Sequence, residues 1–333
     1  MRQVVLAPDR TLVVREVTRP DPGPGEVLLD VAYAGVCGSD LHRIYDWDPV
    51  PAGSVLGHEF SGRVAGLGAD VVGWSAGDRV TVLPVDPCGA CPACSGRGGI
   101  CRAGLARGPG LGRPGGYAEA VVVPAGMLVR LPDGVDDQAG AFVEPLAVAC
   151  RAVRQSGARP GSRVAVLGGG PIGLTVALVL RARGAEAVRL VEPNPARRER
   201  AAASAPVAED LAVAVDELGH PLDVVLDCTG HFAAATGAFP FVRDGATVVV
   251  VGLCGTPATV DLGTLVRAEI VLRGTLAYER QDFDAAIAAL AEGAVPWRSV
   301  VTDVRPLEQA NAVVRDLHGT ASPQLKVLLS PTG

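Results

Sequence analysis

The sequence lacks any surplus of positive charge. Its 333 residues carry 30 Lys and Arg against 36 Asp and Glu, a formal net charge of −6. No basic field is there to attract nucleic acid or an anionic membrane surface, and a small molecule is the expected partner. Nor does a secretory signal form at the start: "MRQVVLAPDR" reaches Pro8, Asp9 and Arg10 too soon to hold an apolar core, so a cytoplasmic protein is expected. Internal repeats and low-complexity linkers are missing too, and at roughly 150 residues per domain the length suggests two domains. One uncharged run, Val164 to Leu180, "VAVLGGGPIGLTVALVL", approaches the length of a membrane span. Its GGGP interruption reads instead as strand, tight turn and helix.

What the chain does have is thiols. Eight cysteines in a long chain with no export signal do not read as a disulfide framework, and four of them crowd between Cys88 and Cys101. "CGACPACSGRGGIC" places Cys88, Cys91, Cys94 and Cys101 at C-x₂-C-x₂-C-x₆-C, enough to close a tetrahedral zinc site and order a lobe rich in Gly and Pro. The same start, C-x₂-C-x₂-C, also opens an iron–sulfur pattern, so the two metals compete. Cys150, Cys228 and Cys254 read as core thiols, and His220, His231 and His318 as surface rings.

Up to about residue 130 the chain is a series of short β segments cut by Gly and Pro, among them "EVLLDVAYAG", "DRVTVLP" and "YAEAVVVP". From Ser162 strand and helix alternate: "RVAVLG", "PIGLTVALVLRARG", "AVRLVE", "LDVVLDCTG", "ATVVVVG". The expected fold class is α/β, an irregular β domain joined to a parallel sheet covered on both faces. Between the first such strand and helix stand Gly168, Gly170, Pro171, Ile172 and Gly173, in G-x-G-x-x-G spacing. The glycines serve the turn, the approach of a pyrophosphate and helix–strand packing, while the helix N-terminus offers free N–H groups. Glu192, nineteen residues after Gly173, ends the next strand, where an acid would bind ribose hydroxyls and favour NAD.

The loop "AGVCGSDLH" gathers Cys37, Ser39, Asp40 and His42 in six residues. Alone, a Cys or His is usually a core or surface residue. Candidate partners are His58 and Glu59 in "GHEF" and Glu144 in "AFVEPLAVAC". Cys37, His58 and a carboxylate from Glu59 or Glu144 would supply three protein ligands and leave a catalytic zinc one open position.

In family order, "CGSDLH", "GHEFSG", the four-cysteine lobe, "EPLAVA" and "LGGGPIG" cover nearly the whole chain. On these motifs it resembles the zinc-dependent medium-chain dehydrogenases, especially their polyol (sorbitol-type) branch. Alcohol dehydrogenase is itself the standard case of a Cys₂His catalytic zinc, and here Glu144 stands where the second thiolate would be. The resemblance implies a GroES-like catalytic domain over 1–147 and 277–333, with its structural zinc lobe at 86–103, and a doubly wound Rossmann domain over 148–276. It implies two zinc ions per chain, NAD as cofactor, an alcohol or ketone substrate, and a homo-oligomer (dimer or tetramer). Asp40 would orient the His58 ring, Ser39 would touch the substrate hydroxyl, and the proton would pass through the nicotinamide ribose to His42. Arg197 would lie over the adenine end. Cys228, Thr229 and Gly230 would line the adenosine, and Val251, Gly252 and Leu253 with Gly274, Thr275 and Leu276 would face the nicotinamide.

Two departures from the family pattern stand out: the lobe has six residues rather than seven before Cys101, and the stretch from Arg200 to Pro221 is short. The leading expectation is an NAD-dependent secondary alcohol dehydrogenase acting on a polyol, cyclitol or sugar-like alcohol. Arg43, Tyr45, Asp46, Trp47 and Asp48 suit a hydroxylated substrate and equally a solvated loop. "HRIYDWDP" also resembles the threonine 3-dehydrogenase branch, and a non-catalytic zinc protein that binds dinucleotide is a third reading.

Overall fold

The computed structural model describes every residue except His220, Thr320, Ala321, Pro323, Thr332 and Gly333. The chain forms two units, one of Met1–Glu144, Ala286–Glu292 and Val301–Gly333, the other of Pro145–Ala285 and Gly293–Val300. It begins with β1 (Arg2–Leu6), β2 (Leu12–Glu16), β3 (Glu26–Gly35), α1 (Gly38–Tyr45), β4 (Glu59–Leu67), β5 (Arg79–Val82), α2 (Arg102–Leu105), β6 (Ala120–Pro124) and β7 (Leu128–Arg130). Then come α3 (Asp137–Ser156), β8 (Val164–Leu167), α4 (Pro171–Ala182), β9 (Val188–Val191), α5 (Pro195–Ala202), β10 (Val207–Ala208) and α6 (Leu211–Leu218). The remaining elements are β11 (Leu222–Asp227), α7 (Phe232–Gly237), β12 (Val242–Val250), α8 (Leu262–Arg267), β13 (Val271–Gly274), α9 (Arg280–Ala291), β14 (Val301–Pro306), α10 (Ala310–His318) and β15 (Lys326–Ser330).

In the first unit a mixed sheet runs β14-β15-β3-β4-β5-β7, and β6 also pairs with β3. Its core is aliphatic, with Val27, Leu29, Val64, Val80 and Val123 fully enclosed. Burial of each such side chain contributes roughly 1.5–3 kcal/mol against leaving it exposed. β3 departs from a strict two-residue alternation because its register with β4 shifts between Leu28 and Leu29 and again between Val31 and Tyr33. Two pairings position the site. Gly35 lies opposite Glu59 where β3 meets β4, and Leu328 of β15 lies opposite Gly35 from the other side.

In the second unit a parallel sheet runs β10-β9-β8-β11-β12-β13, and the four residues of β8 are all buried, as expected of a strand covered on both faces. The chain order reverses between β8 and β11, which in open α/β sheets marks the ligand crevice at the carboxyl ends of the strands. The uncharged run from Val164 to Leu180 is divided between β8 and α4, with Pro171 opening the helix. Among the described residues no helix is long and apolar enough to cross a membrane. The short stretch after Arg200 yields β10 with only two residues. Residues 277–285, which the resemblance places in the catalytic domain, pack with the second unit. The reason is ionic: Arg154 of α3 donates to both carboxylate oxygens of Asp282, at 2.7 and 2.9 Å, and to Glu279 at 3.0 Å.

Candidate functional site

Cys37 follows β3 and His58 precedes β4, so the antiparallel pairing of these strands sets the two side by side. Together with Glu59 they form a group whose ligand atoms all lie within 4.8 Å of one another. Cys37 caps the N-terminus of α1 in a reciprocal arrangement with Asp40, three residues on, whose carboxylate accepts from the Cys37 N–H at 3.1 Å. The other Asp40 oxygen faces His58 Nδ1 at 3.6 Å; both atoms are buried and lack a closer partner. Tyr117 donates its hydroxyl to Asp40 at 2.7 Å. Burial pushes the Asp40 carboxyl up, but His58, Tyr117 and the Cys37 N–H more than offset this and hold it below the usual carboxylate range. Burial likewise disfavours a charged His58, yet Cys37 and Asp40 raise its pKa well above the usual imidazole value. The pocket is thus built to stabilise a cation. Ser39 Oγ lies 3.5 Å from His58 Nε2, on the side of the ring away from Asp40.

Glu59 is already engaged. Its two oxygens accept from Lys326 Nζ at 2.7 and 2.8 Å, and the third Lys326 proton goes to Val36 O at 3.0 Å. Lys326 is 1% exposed, and although burial disfavours its charge, Glu59 and Cys37 raise its pKa. Gly35 makes room for this pair, because a Cβ there would lie 2.2 Å from Glu59 Oε2.

In the lobe, Cys88 Sγ and Cys91 Sγ lie 3.9 and 3.6 Å from Cys94 Sγ, and all four thiols lie within 4.8 Å of one another. Four sulfurs around one zinc at the usual bond length stand about 3.8 Å apart, which is this spacing. A cluster interposes several iron and sulfide atoms and holds its thiolates farther apart, so the shorter Cys94 to Cys101 loop has not opened the site beyond a single ion. Backbone N–H groups of Ala90 and Cys91 lower the Cys88 thiol to about 6, whereas Cys94, though it faces the Gly89 N–H, is pushed up to about 11 by burial and its sulfur neighbours. Four thiolates this close require a cation between them.

The nucleotide fingerprint lies where the strand order reverses. Gly168 has φ +96°, and a Cβ on Gly173 would meet Gly168 O at 1.8 Å, whereas Gly170 faces open space. Glu192, just past β9 and buried, accepts from Gly169 N at 2.8 Å through one oxygen and from Asn194 N at 2.8 Å through the other. Arg197, half-buried, lies in the first turn of α5, where its N–H donates to the Asn194 side chain, and Arg198 donates to Glu192 O at 2.8 Å. Cys228, Val251 and Thr275 follow directly on β11, β12 and β13. Asp227 knits these ends together: Oδ1 accepts from Thr229 N and Oγ1 at 2.9 and 2.6 Å, and its carbonyl accepts from Val251 N and Gly252 N. Gly252 could not carry a side chain, since its Cβ would lie 2.3 Å from Gly230 N. Leu253 is exposed, Gly274 ends β13, and Leu276 lies just beyond it.

Residues 23–133 match the alcohol dehydrogenase GroES-like domain, and residues 171–292 match the zinc-binding dehydrogenase domain. The chain is 38% identical to 2-dehydro-3-deoxy-L-galactonate 5-dehydrogenase of Pseudoalteromonas atlantica, over 90% of this chain and 89% of that protein. It belongs to the zinc-binding alcohol dehydrogenase family. Sorbitol dehydrogenase of Halalkalibacterium halodurans is 34% identical over 96% of this chain and 95% of its own. A solved Sinorhizobium meliloti protein, described as a zinc-binding dehydrogenase and bound to NADP, superposes with a TM-score of 0.90 at 31% identity, covering 99% of each chain.

This dehydrogenase is thus an NAD(P)-dependent zinc enzyme with a four-cysteine structural site and a Cys/His/Glu catalytic site. The donor sets fit zinc: soft thiolates with one imidazole and a carboxylate in one place, and four thiolates at single-ion spacing in the other. Of the two candidate carboxylates the structure gathers Glu59 with Cys37 and His58; Glu144, buried in α3, lies outside that group but close enough to raise the pKa of Lys326. Two expectations need correcting: Cys228 and Cys254 are half-exposed rather than core thiols, and the Cys254 sulfur accepts from Thr256 N at 3.2 Å in the loop after β12. His318 is exposed, as expected, and lies 3.4 Å from Asp46. His231 is exposed and Cys150 buried, as expected, and His220 lies outside the described residues. Sequence reasoning missed Tyr117 and Lys326; the one visible hint was a lysine heading the apolar run "LKVLL".

Proposed function

We propose that this dehydrogenase oxidises a secondary hydroxyl of a polyhydroxylated substrate, a polyol, cyclitol or sugar acid, with NAD. Cys37, His58 and a carboxylate would hold the catalytic zinc, and Cys88, Cys91, Cys94 and Cys101 the structural one. When bound, zinc supplies Lewis-acid activation of the hydroxyl and the dinucleotide accepts the hydride. The chain's own residues orient and deprotonate. Asp40, itself held by Tyr117, would orient the His58 ring, and Ser39 Oγ would take up the hydroxyl proton as it gives up its own, which would leave for water by way of His42. The observation that carries this reading is the placing of Ser39 Oγ against the imidazole of the Cys37, His58 and Glu59 group.

Glu192 favours NAD, because a carboxylate fixed by two backbone N–H groups beside the glycine turn accepts ribose hydroxyls and repels a 2′-phosphate. The polyhydroxylated class is supported by the galactonate and sorbitol dehydrogenases that the chain resembles. A homo-oligomer is supported by an apolar sheet edge: Val271 and Leu272 of β13 are exposed, as are Leu262 and Val266 of α8. We place the enzyme in the cytoplasm.

The test is a panel of hexonates, polyols, cyclitols, threonine and simple alcohols, followed by NADH absorbance. Turnover of threonine above the polyhydroxylated compounds would replace this reading with an amino-alcohol one, and no turnover of any compound would favour the non-catalytic one. For the proton route, His42→Gln should keep its zinc and lose about tenfold in turnover at low pH, with partial rescue by imidazole. Wild-type turnover with an unchanged pH profile would remove His42 from the route.

A further inference from the structure

His42 stands in a chain of three titratable groups. Its Nδ1 lies 2.8 Å from Asp46 Oδ2, one helical turn on, where α1 ends. The second Asp46 oxygen lies 3.4 Å from Nε2 of His318, the last residue of α10. One carboxylate therefore bridges two imidazoles from two helices, with a separate oxygen for each. The rings have neighbours of their own: Trp47 is centred 5.3 Å from His42, and Tyr45 4.6 Å from His318.

A carboxylate only accepts, so the nitrogen facing Asp46 carries hydrogen on both rings. For His42 this fixes the tautomer: the proton sits on Nδ1 and the lone pair on Nε2. We propose that Asp46 and His318 are positioning residues for His42, Asp46 fixing the ring so that Nε2 is its accepting atom, and His318 anchoring that carboxylate through its second oxygen. The proposal rests on the reading of His42 as the point where the proton leaves. One proton is received at Nε2, and one is released from the same ring to water, which reaches it because its side chain is about one-third exposed (32%).

The charges on the packed helices leave this arrangement intact. Arg43 faces Asp48 and donates to Gly110 O and Leu111 O, and Arg10 donates to the carbonyls of Arg43 and Ile44. On α10, Arg315 acts on Tyr45, and Asp316 accepts from Ser322. Among the described residues, Asp46 is the anion in contact with each ring. Partial burial pushes the Asp46 carboxyl up, but bonds from His42 and His318 leave it below the usual carboxylate range.

The experiment is a ring-nitrogen NMR measurement on the full-length zinc-loaded protein at alkaline pH, where imidazoles are neutral, read beside turnover. The wild type should show His42 protonated at Nδ1. Asp46→Asn should let the two tautomers mix, because an amide can donate as well as accept. Asp46→Glu should restore the single tautomer. His318→Gln should let the tautomers mix to a smaller extent, because the carboxylate loses its second anchor. A purely structural contact would lower stability and leave the tautomer alone. A neutral His42 protonated at Nε2, or an Asp46→Asn spectrum identical to wild type, overturns the proposal. The two readings separate cleanly. If His42→Gln keeps full turnover while the wild-type tautomer holds, the proton route falls and the bridge stands; if His42→Gln loses turnover while Asp46→Asn leaves the tautomer unmoved, the bridge falls alone.

Discussion

Lys326 grips both carboxylate oxygens of Glu59, at 2.7 and 2.8 Å, inside the strand pairing that brings the catalytic donors together. Both residues are essentially unexposed. Removing one partner leaves a buried charge unpaired, so Lys326→Met should cost about 3–5 kcal/mol of stability in urea unfolding. The double variant Lys326→Met with Glu59→Leu should recover most of that loss. Additive losses would show that the pair is not coupled.

Metal analysis of protein purified without added metal should give two zinc ions per chain and no iron. Cys91→Ser should retain one zinc and lower the melting temperature, because the lobe loses the ion that organises its thiols. Stoichiometric iron with sulfide would replace the zinc assignment of the lobe.

Glu192→Ala removes the acceptor of the Gly169 and Asn194 N–H groups as well as the acid beside the dinucleotide. NAD affinity should fall at least roughly tenfold, on the order of 1.4 kcal/mol, while NADP affinity falls less or rises. A wild-type preference for NADP in calorimetry would mean that Arg197 or Arg198 reads the phosphate.

Asp223 provides the pH test. Partial burial raises its carboxyl, but the Arg163 N–H and the Arg243 guanidinium hold it below the usual range. A depressed carboxyl stabilises the fold above its unfolded value, near pH 4, and that contribution is lost as pH falls through the folded value. Asp223→Asn should therefore cost about 1 kcal/mol at pH 7 and nearly nothing at pH 3, read from thermal melts at both. Equal losses at both would show that shape rather than charge matters there.

The groups that carry chemistry were legible in the sequence because metal and phosphate sites are spelled in short range. Four thiols within fourteen residues and three glycines within six need no tertiary information to be seen, and the structure gathers both. What supports them was not legible. Lys326 reaches Val36 only because β15 pairs with β3, and Tyr117 reaches Asp40 across 77 residues; neither position announces itself locally. That Glu59 rather than Glu144 lies beside Cys37 and His58 was not legible for the same reason, since the register of β3 with β4 sets it there. Nor was it legible that residues 277–285 pack with the second unit, since an arginine in α3, over a hundred residues earlier, holds them.

The helix α1 has Cys37 and Asp40 at one end and His42 with Asp46 at the other. Each residue turns such a helix by about 100° and advances it by about 1.5 Å. Adding or deleting a single residue between Asp40 and His42 would therefore swing the imidazole by about 100° off its bearing while the thiol and the Asp40 carboxylate stayed put. The segment is a gauge of fixed length: substitutions along it can be absorbed one by one, but insertions and deletions cannot, and an engineered loop graft at this enzyme must end before Cys37 or begin after Trp47.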